Sequence, residues 1–132
     1  MSAEDAPHSG AAQSLIREFS EISLLLDESQ STLVIDPILA RIANNAEVHG
    51  DFEGLKSAIL WALHSGQAYA ACEIVQFYGF RFRWPWLRKE VEDMFLDKAE
   101  KVDLRAMRFY ESMLEAFDDN WEDRDLFPSL GA

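Results

Sequence analysis

The sequence predicts an all-α domain of about six helices, and three observations carry that expectation. Apolar residues recur at three- and four-residue spacing in six separate segments, the period of one helix face. The breaks between them hold residues that start and stop helices. The one stretch with a strand-like period sets Tyr78, Phe80, Phe82, Trp84 and Trp86 against Gly79, Arg81, Arg83 and Pro85, and no second alternating segment exists to pair with it. The 132 residues suit one domain, and a hydrophobic content of 48 % is enough to fill a core.

Residues 1–12, with Pro7, Ser9 and Gly10 among small and charged side chains, read as a disordered lead to a domain over 13–118. The first helix starts at Gln13 and buries Leu15, Phe19, Ile22 and Leu26; Asp27 to Ser31 break its pattern. The second is expected to start at Asp36-Pro37. Asp is a favoured N-cap, and proline fits the first helical position because its missing amide has no intrahelical partner there. Its stripe is Ile38, Leu39, Ile42 and Ala46, and Gly50 after His49 suits a left-handed cap. Asp51 can cap a third helix with Leu55, Ile59, Ala62 and Leu63 inward and Gly66 as its stop.

The fourth helix opens near Gln67 with Ala68, Ala70 and Ala71, followed by Ile74, Val75 and Tyr78. Small residues let a neighbouring backbone come close, which places this helix at the centre of the packing. It is taken through Gly79 to about Arg83, the glycine costing about 1 kcal/mol relative to alanine. Trp84-Pro85 forces a boundary. Pro85 opens the fifth helix, with Leu87, Val91, Met94 and Phe95 inward. Asp103 can cap a sixth, whose stripe is Ala106, Tyr110, Met113, Leu114 and Phe117 and which ends at Asp118-Asp119-Asn120. Residues 119–132 lack periodicity and read as an acidic C-terminal tail. The natural pairing is three antiparallel hairpins, stacked as a short helical-repeat-like solenoid or closed as an irregular bundle.

Twenty-four acids against 12 Lys and Arg give a formal net charge of -12. That excludes a generic electrostatic grip on nucleic acid or on an anionic membrane, and it suits a basic protein as partner. The bases are concentrated. Residues 1–80 hold three against eleven acids, 81–108 hold eight against six, and 109–132 hold one against seven. Helical i,i+4 pairs such as Arg88 with Glu92 account for part of the central cluster. The single cysteine, Cys72, excludes a disulfide framework and a multi-cysteine zinc cage, and its apolar neighbours mark it as buried and inert. No apolar run approaches the roughly 20 residues that span a bilayer. Met1 to Asp5 lack the basic-then-apolar order of a secretory signal, so a cytoplasmic location is expected.

Catalytic constellations are missing. There is no Gly-rich phosphate loop, no Gly-x-Ser-x-Gly elbow and no His-Glu-x-x-His pair. His49 and His64 sit at predicted helix C-termini, where they favour the helix dipole. His49, Asp51 and Glu53 make a poor zinc set. The chain is therefore read as non-enzymatic, with no catalytic residue, metal or cofactor.

Two segments stand out as candidate binding surfaces. Phe77 to Arg88 holds six aromatics and three arginines. A helix buries one stripe, so part of this set belongs at a boundary or surface. Trp84 and Trp86 are candidate anchors, because Trp, Tyr and Arg are enriched in binding hot spots. The alternative is a crowded inter-helix corner with arginines stacked on rings and paired with acids. In the tail, Asp118, Asp119, Glu122 and Asp123 surround Trp121 and Phe127. Either the tail folds back and buries Trp121, or it presents Trp121 and Phe127 as anchors within an acidic segment suited to a basic groove.

The Arg83-Trp84-Pro85 corner after a long helix and the Asp119-Asn120-Trp121-Glu122-Asp123 ending resemble features of short acidic all-helical bacterial proteins, over residues 35–125. Some proteins of that kind are immunity proteins that neutralise a toxin from the same cell. The resemblance implies occlusion of a basic toxin and transfers no functional residue. An oligomerising helical scaffold or adaptor using the aromatic corner as its own contact is the alternative, and a small enzyme with a polar pocket is a third.

Overall fold

In a computed structural model, residues 10–29, 32–50, 52–65 and 68–130 are described. Six α-helices follow in order: α1 Gly10–Ser29, α2 Thr32–His49, α3 Phe52–His64, α4 Ala68–Phe82, α5 Pro85–Glu100 and α6 Leu104–Glu115. Among the described residues, two short 3-10 helices, Glu122–Leu126 and Pro128–Leu130, follow α6. The protein is all-α: no strand occurs among the described residues, and none of their helices is long and apolar enough to cross a membrane.

The core is one cluster to which each of the six α-helices contributes. Phe19, Ile22 and Leu26 of α1 meet the α3 stripe of Leu55, Ala58, Ile59 and Ala62, and α1 lies chiefly against α3. The expected pairs, α1 with α2, α3 with α4 and α5 with α6, are all in contact. Contacts of α4 with α6 and of α1 with α4 tie them into a bundle. At its centre lies α4, whose Ala70, Ala71, Cys72, Ile74, Val75, Gln76, Phe77 and Tyr78 are all buried. It runs through Gly79, as expected. A Cβ there would come within 3.0 Å of Cε2 and Cζ of Phe117, so the glycine makes room for that ring.

Several boundaries differ from the sequence expectation. The α1 helix starts at Gly10 rather than Gln13, and it continues to Ser29 with Asp27 and Glu28 on its exposed side. The α2 helix starts at Thr32, so Pro37 falls inside it and Asp36 is not its cap. The reason is tertiary. Thr32 Oγ1 donates to the Leu126 carbonyl at 2.9 Å, and the 6 %-exposed Asp36 accepts from the Ser129 hydroxyl at 2.7 Å. The C-terminal segment thus anchors a turn that local propensity would start later. Residues 119–130 form no loose tail: Trp121 is 4 % exposed and Phe127 0 %. The lead at 1–9, the Asp51 cap, the Gly66 stop and the Gln67 start lie outside the described residues.

Other expectations hold. Gly50 adopts φ 65°, the left-handed cap. Trp84 is extended (φ -65°, ψ 125°) ahead of Pro85 at the start of α5. Asp103 caps α6 by accepting from the Ala106 amide at 3.2 Å.

The α5–α6 link carries local strain. The Asp103 amide bonds the Lys98 carbonyl at 2.9 Å and the Val102 amide bonds the Ala99 carbonyl at 3.1 Å. This is the Schellman ending, which needs a left-handed residue. Val102 fills that place at φ 55°, where a β-branched side chain is strained, and it is 71 % exposed, so packing gives nothing back. Val102→Gly should raise stability by about 1 kcal/mol, read from urea denaturation. A loss of stability would show that the valine is not strained.

Candidate partner-binding face

The aromatic segment divides between two sides of α4. Phe77 and Tyr78 are fully buried, and the Tyr78 hydroxyl donates to the Leu39 carbonyl at 3.1 Å. From Tyr78 a ladder of rings leads outward. Tyr78 stacks on Phe82 at 6.3 Å, Phe82 on Trp84 at 4.5 Å, and Trp84 on Trp86 at 5.3 Å between centroids. Lys56 Nζ closes it 5.0 Å above the Trp86 ring. Phe52 meets Phe82 and Trp84 edge-on. Trp84 and Trp86 are half-buried, each already stacked on a neighbour.

The arginines of this segment hold the corner together. Arg81 pairs with Glu47 and reaches Asn44 Oδ1 at 3.0 Å. Arg83 has φ 52°, which turns the chain out of α4. Its guanidinium lies 4.8 Å above the Phe80 ring, pairs with Asp119, and donates to the Phe117 carbonyl at 3.3 Å. One side chain thus joins the end of α4 to the chain leaving α6. Arg88 pairs with Glu92 at 3.5 Å, the expected i,i+4 contact.

On the opposite side, Phe80 meets Trp121 at 5.6 Å and Phe77 meets Phe127 at 5.6 Å. The two C-terminal rings are core residues, so of the two alternatives left open by the sequence the segment folds back, and Trp121 and Phe127 are not exposed anchors. The cause is an unfilled aromatic face on α4 that the returning chain covers. Asp118, Asp119, Glu122 and Asp123 are exposed, as expected. Of these, Asp119 is taken by Arg83, and Asp118 Oδ1 accepts the Asn120 amide at 3.1 Å.

The remaining carboxylates border a cleft of about 320 Å³, lined by Glu115, Asp118, Asn120, Trp121, Glu122 and Asp123. Among the described residues none of Glu115, Asp118, Glu122 and Asp123 is in an ion pair. A second groove of about 560 Å³ shares Glu115 and Asp118 and is also lined by Arg83 and Arg88. Elsewhere, an apolar crevice of about 260 Å³ separates α1 from α2 at Leu15, Ile42 and Ala46.

Glu73, which the sequence reading passed over, lies under this face beside the indole nitrogen of Trp121. Glu73 Oε2 and Trp121 Nε1 are both buried with no hydrogen-bond partner. Burial, with the Asp123 charge adding to it, pushes the Glu73 carboxyl up to about 7. The available signal was spacing: Glu73, Phe77 and Phe80 share a helix face, which puts an acid on a buried stripe.

Cys72 is pushed up to about 12 by burial, then by the Glu73 and Glu115 charges, so no thiolate forms near neutral pH. Its Sγ lies 3.8 Å from the Phe109 carbonyl. His64 pairs with Glu90 at 3.1 Å. No group of three or more His, Cys, Asp or Glu among the described residues converges on a metal position. No protein-family model matches the chain, and no curated protein or solved structure matches it significantly.

Two measurements check this description. Trp121→Ala should cost about 3–5 kcal/mol in urea denaturation, the penalty for emptying a buried aromatic site. A loss below about 1 kcal/mol would place the ring outside the core. Cys72 in the native protein should react with a thiol reagent only as fast as the fold opens. Labelling at the rate of a free thiol would contradict its burial.

Proposed function

We propose that this protein is a non-enzymatic binding domain that docks a basic protein partner on the acidic face at the end of α6. The observation that carries this reading is the cleft bordered by Glu115, Asp118, Glu122 and Asp123, four carboxylates with no cation of this chain paired to them. Unpaired like charges at one place repel one another, and a partner's lysines or arginines relieve that repulsion. The net charge of -12 extends the attraction beyond contact distance. With Trp121 and Phe127 in the core, the carboxylates supply the steering.

An immunity-type inhibitor that occludes a basic toxin is the form of this reading that the sequence resemblance favours. An oligomerising scaffold draws on the same aromatic corner. Its rings are already stacked on one another and capped by Lys56, which favours the acidic face instead.

Binding kinetics test the proposal, with a basic protein recovered from the same cell as ligand. The association rate should fall as salt rises, since exposed charges are screened beyond about 8 Å at physiological ionic strength. Neutralising Glu115, Asp118, Glu122 and Asp123 together should slow association while leaving the helical circular dichroism unchanged. An association rate insensitive both to salt and to the four neutralisations would overturn it.

A further inference from the structure

The C-terminal segment rests on α4 over a polar defect. Trp121 covers Phe80 and Phe127 covers Phe77, so the segment lies along the face that Glu73 shares. Glu73 Oε2 and Trp121 Nε1 are both buried there without a partner. The polar fastenings of the segment go elsewhere: Leu126 to Thr32, Ser129 to Asp36 and Asp119 to Arg83. Among the described residues, no hydrogen bond joins residues 121–130 to α4 itself. By contrast, α6 is fastened beside Glu73 by Gln76 Nε2, which donates to the Ser112 carbonyl at 3.0 Å.

We propose that Glu73 is a proton-dependent latch for this segment: protonated, it lets residues 121–130 lie closed on α4, and ionised, it weakens their hold. Glu73 is partly exposed, but its Oε2 is buried without a donor; a buried carboxylate oxygen in that state is costly, and one proton removes the cost. Once the proton leaves, the charge is relieved by hydration, and the segment lacking bonds to α4 yields more readily than α6 does.

The charged surroundings of Glu73 offer no other relief. From the C-terminal segment the group that reaches it is Asp123, of like sign. From α6, Glu115 bears on the neighbouring Cys72 thiol, again with like sign. Glu18 of α1 and Arg41 of α2 act at Tyr78, more than a turn away. Lys56 of α3 lies over Trp86, and His64 of α3 faces Glu90. Asp36 of α2 is bound to Ser129.

The sign follows from the direction of the shift. The Glu73 carboxyl in the folded chain ionises above its ordinary value of 4.5, near 7. The closed form therefore has its full advantage below the ordinary carboxylate range and loses it as pH rises toward about 7.

Amide hydrogen exchange on the full chain between mildly acidic and mildly alkaline pH tests the latch, after correction for intrinsic exchange. Protection of the Trp121, Phe127 and Leu130 amides should fall by about tenfold or more through neutral pH. Amides of α1 and α6 should keep their protection. Glu73→Gln should hold the segment closed with a flat pH profile. Asp123→Asn retains the buried carboxyl and should move its titration, read by carboxyl carbon chemical shift, to lower pH. The proposal is overturned if the wild-type segment keeps its protection as Glu73 ionises, if Glu73→Gln leaves the wild-type profile unchanged, or if α6 rather than the segment opens. Titration of Glu73 in the ordinary carboxylate range would overturn it as well.

Discussion

A helix buried around most of its circumference has to satisfy its polar atoms inside the protein, and α4 sets that condition for this fold. Its side chains meet it one at a time against its neighbours. The Tyr78 hydroxyl takes the Leu39 carbonyl of α2, and Gln76 takes the Ser112 carbonyl of α6. These bonds do more than avoid a desolvation penalty. Each joins α4 to a carbonyl on another helix, so the placement of α2 and α6 is tied to one central rod. Glu73 Oε2 is the buried atom of the set without such a partner, and it lies on the α4 face that the C-terminal segment covers.

The second organising feature is the use of arginine as a bridge between aromatic surface and acidic chain. Arg83 stacks on Phe80 while pairing with Asp119, which brings the acidic stretch after α6 to the end of α4. The guanidinium suits both tasks, since its face meets a ring and its edge meets a carboxylate. The acidic face is therefore built from the carboxylates that remain after this arginine has taken its partner. The basic cluster and the acidic ending, separate in sequence, form one electrostatic arrangement.

Much of the fold was legible in the sequence because it depends on local physics. Helix period, the proline after Trp84, the Asp103 cap and the glycine at position 50 act within a few residues, and the structure follows them. What was not legible depends on contacts across the chain. Asp36-Pro37 has the chemistry of a helix start, yet the helix begins at Thr32, whose hydroxyl bonds residue 126. Trp121 and Phe127 sit among acids, and composition could not decide between surface and core. The empty aromatic face of α4 decided it. Glu73 was passed over because one acid among apolar neighbours carries no label of burial until the covering segment is known.

The bonds that seat the C-terminal segment on α2 join residues 93 and 94 positions apart. Closing loops of that size is entropically unfavourable until the intervening helices have brought the ends together. The segment is therefore seated at least entropic cost once the helices have packed. Until it arrives, Phe77 and one side of Phe80 remain bare on the helix around which the others gather. An incomplete molecule carries a sticky aromatic strip that a second incomplete copy can cover. Seating of the segment covers that strip, because Phe127 meets Phe77 and Trp121 meets Phe80.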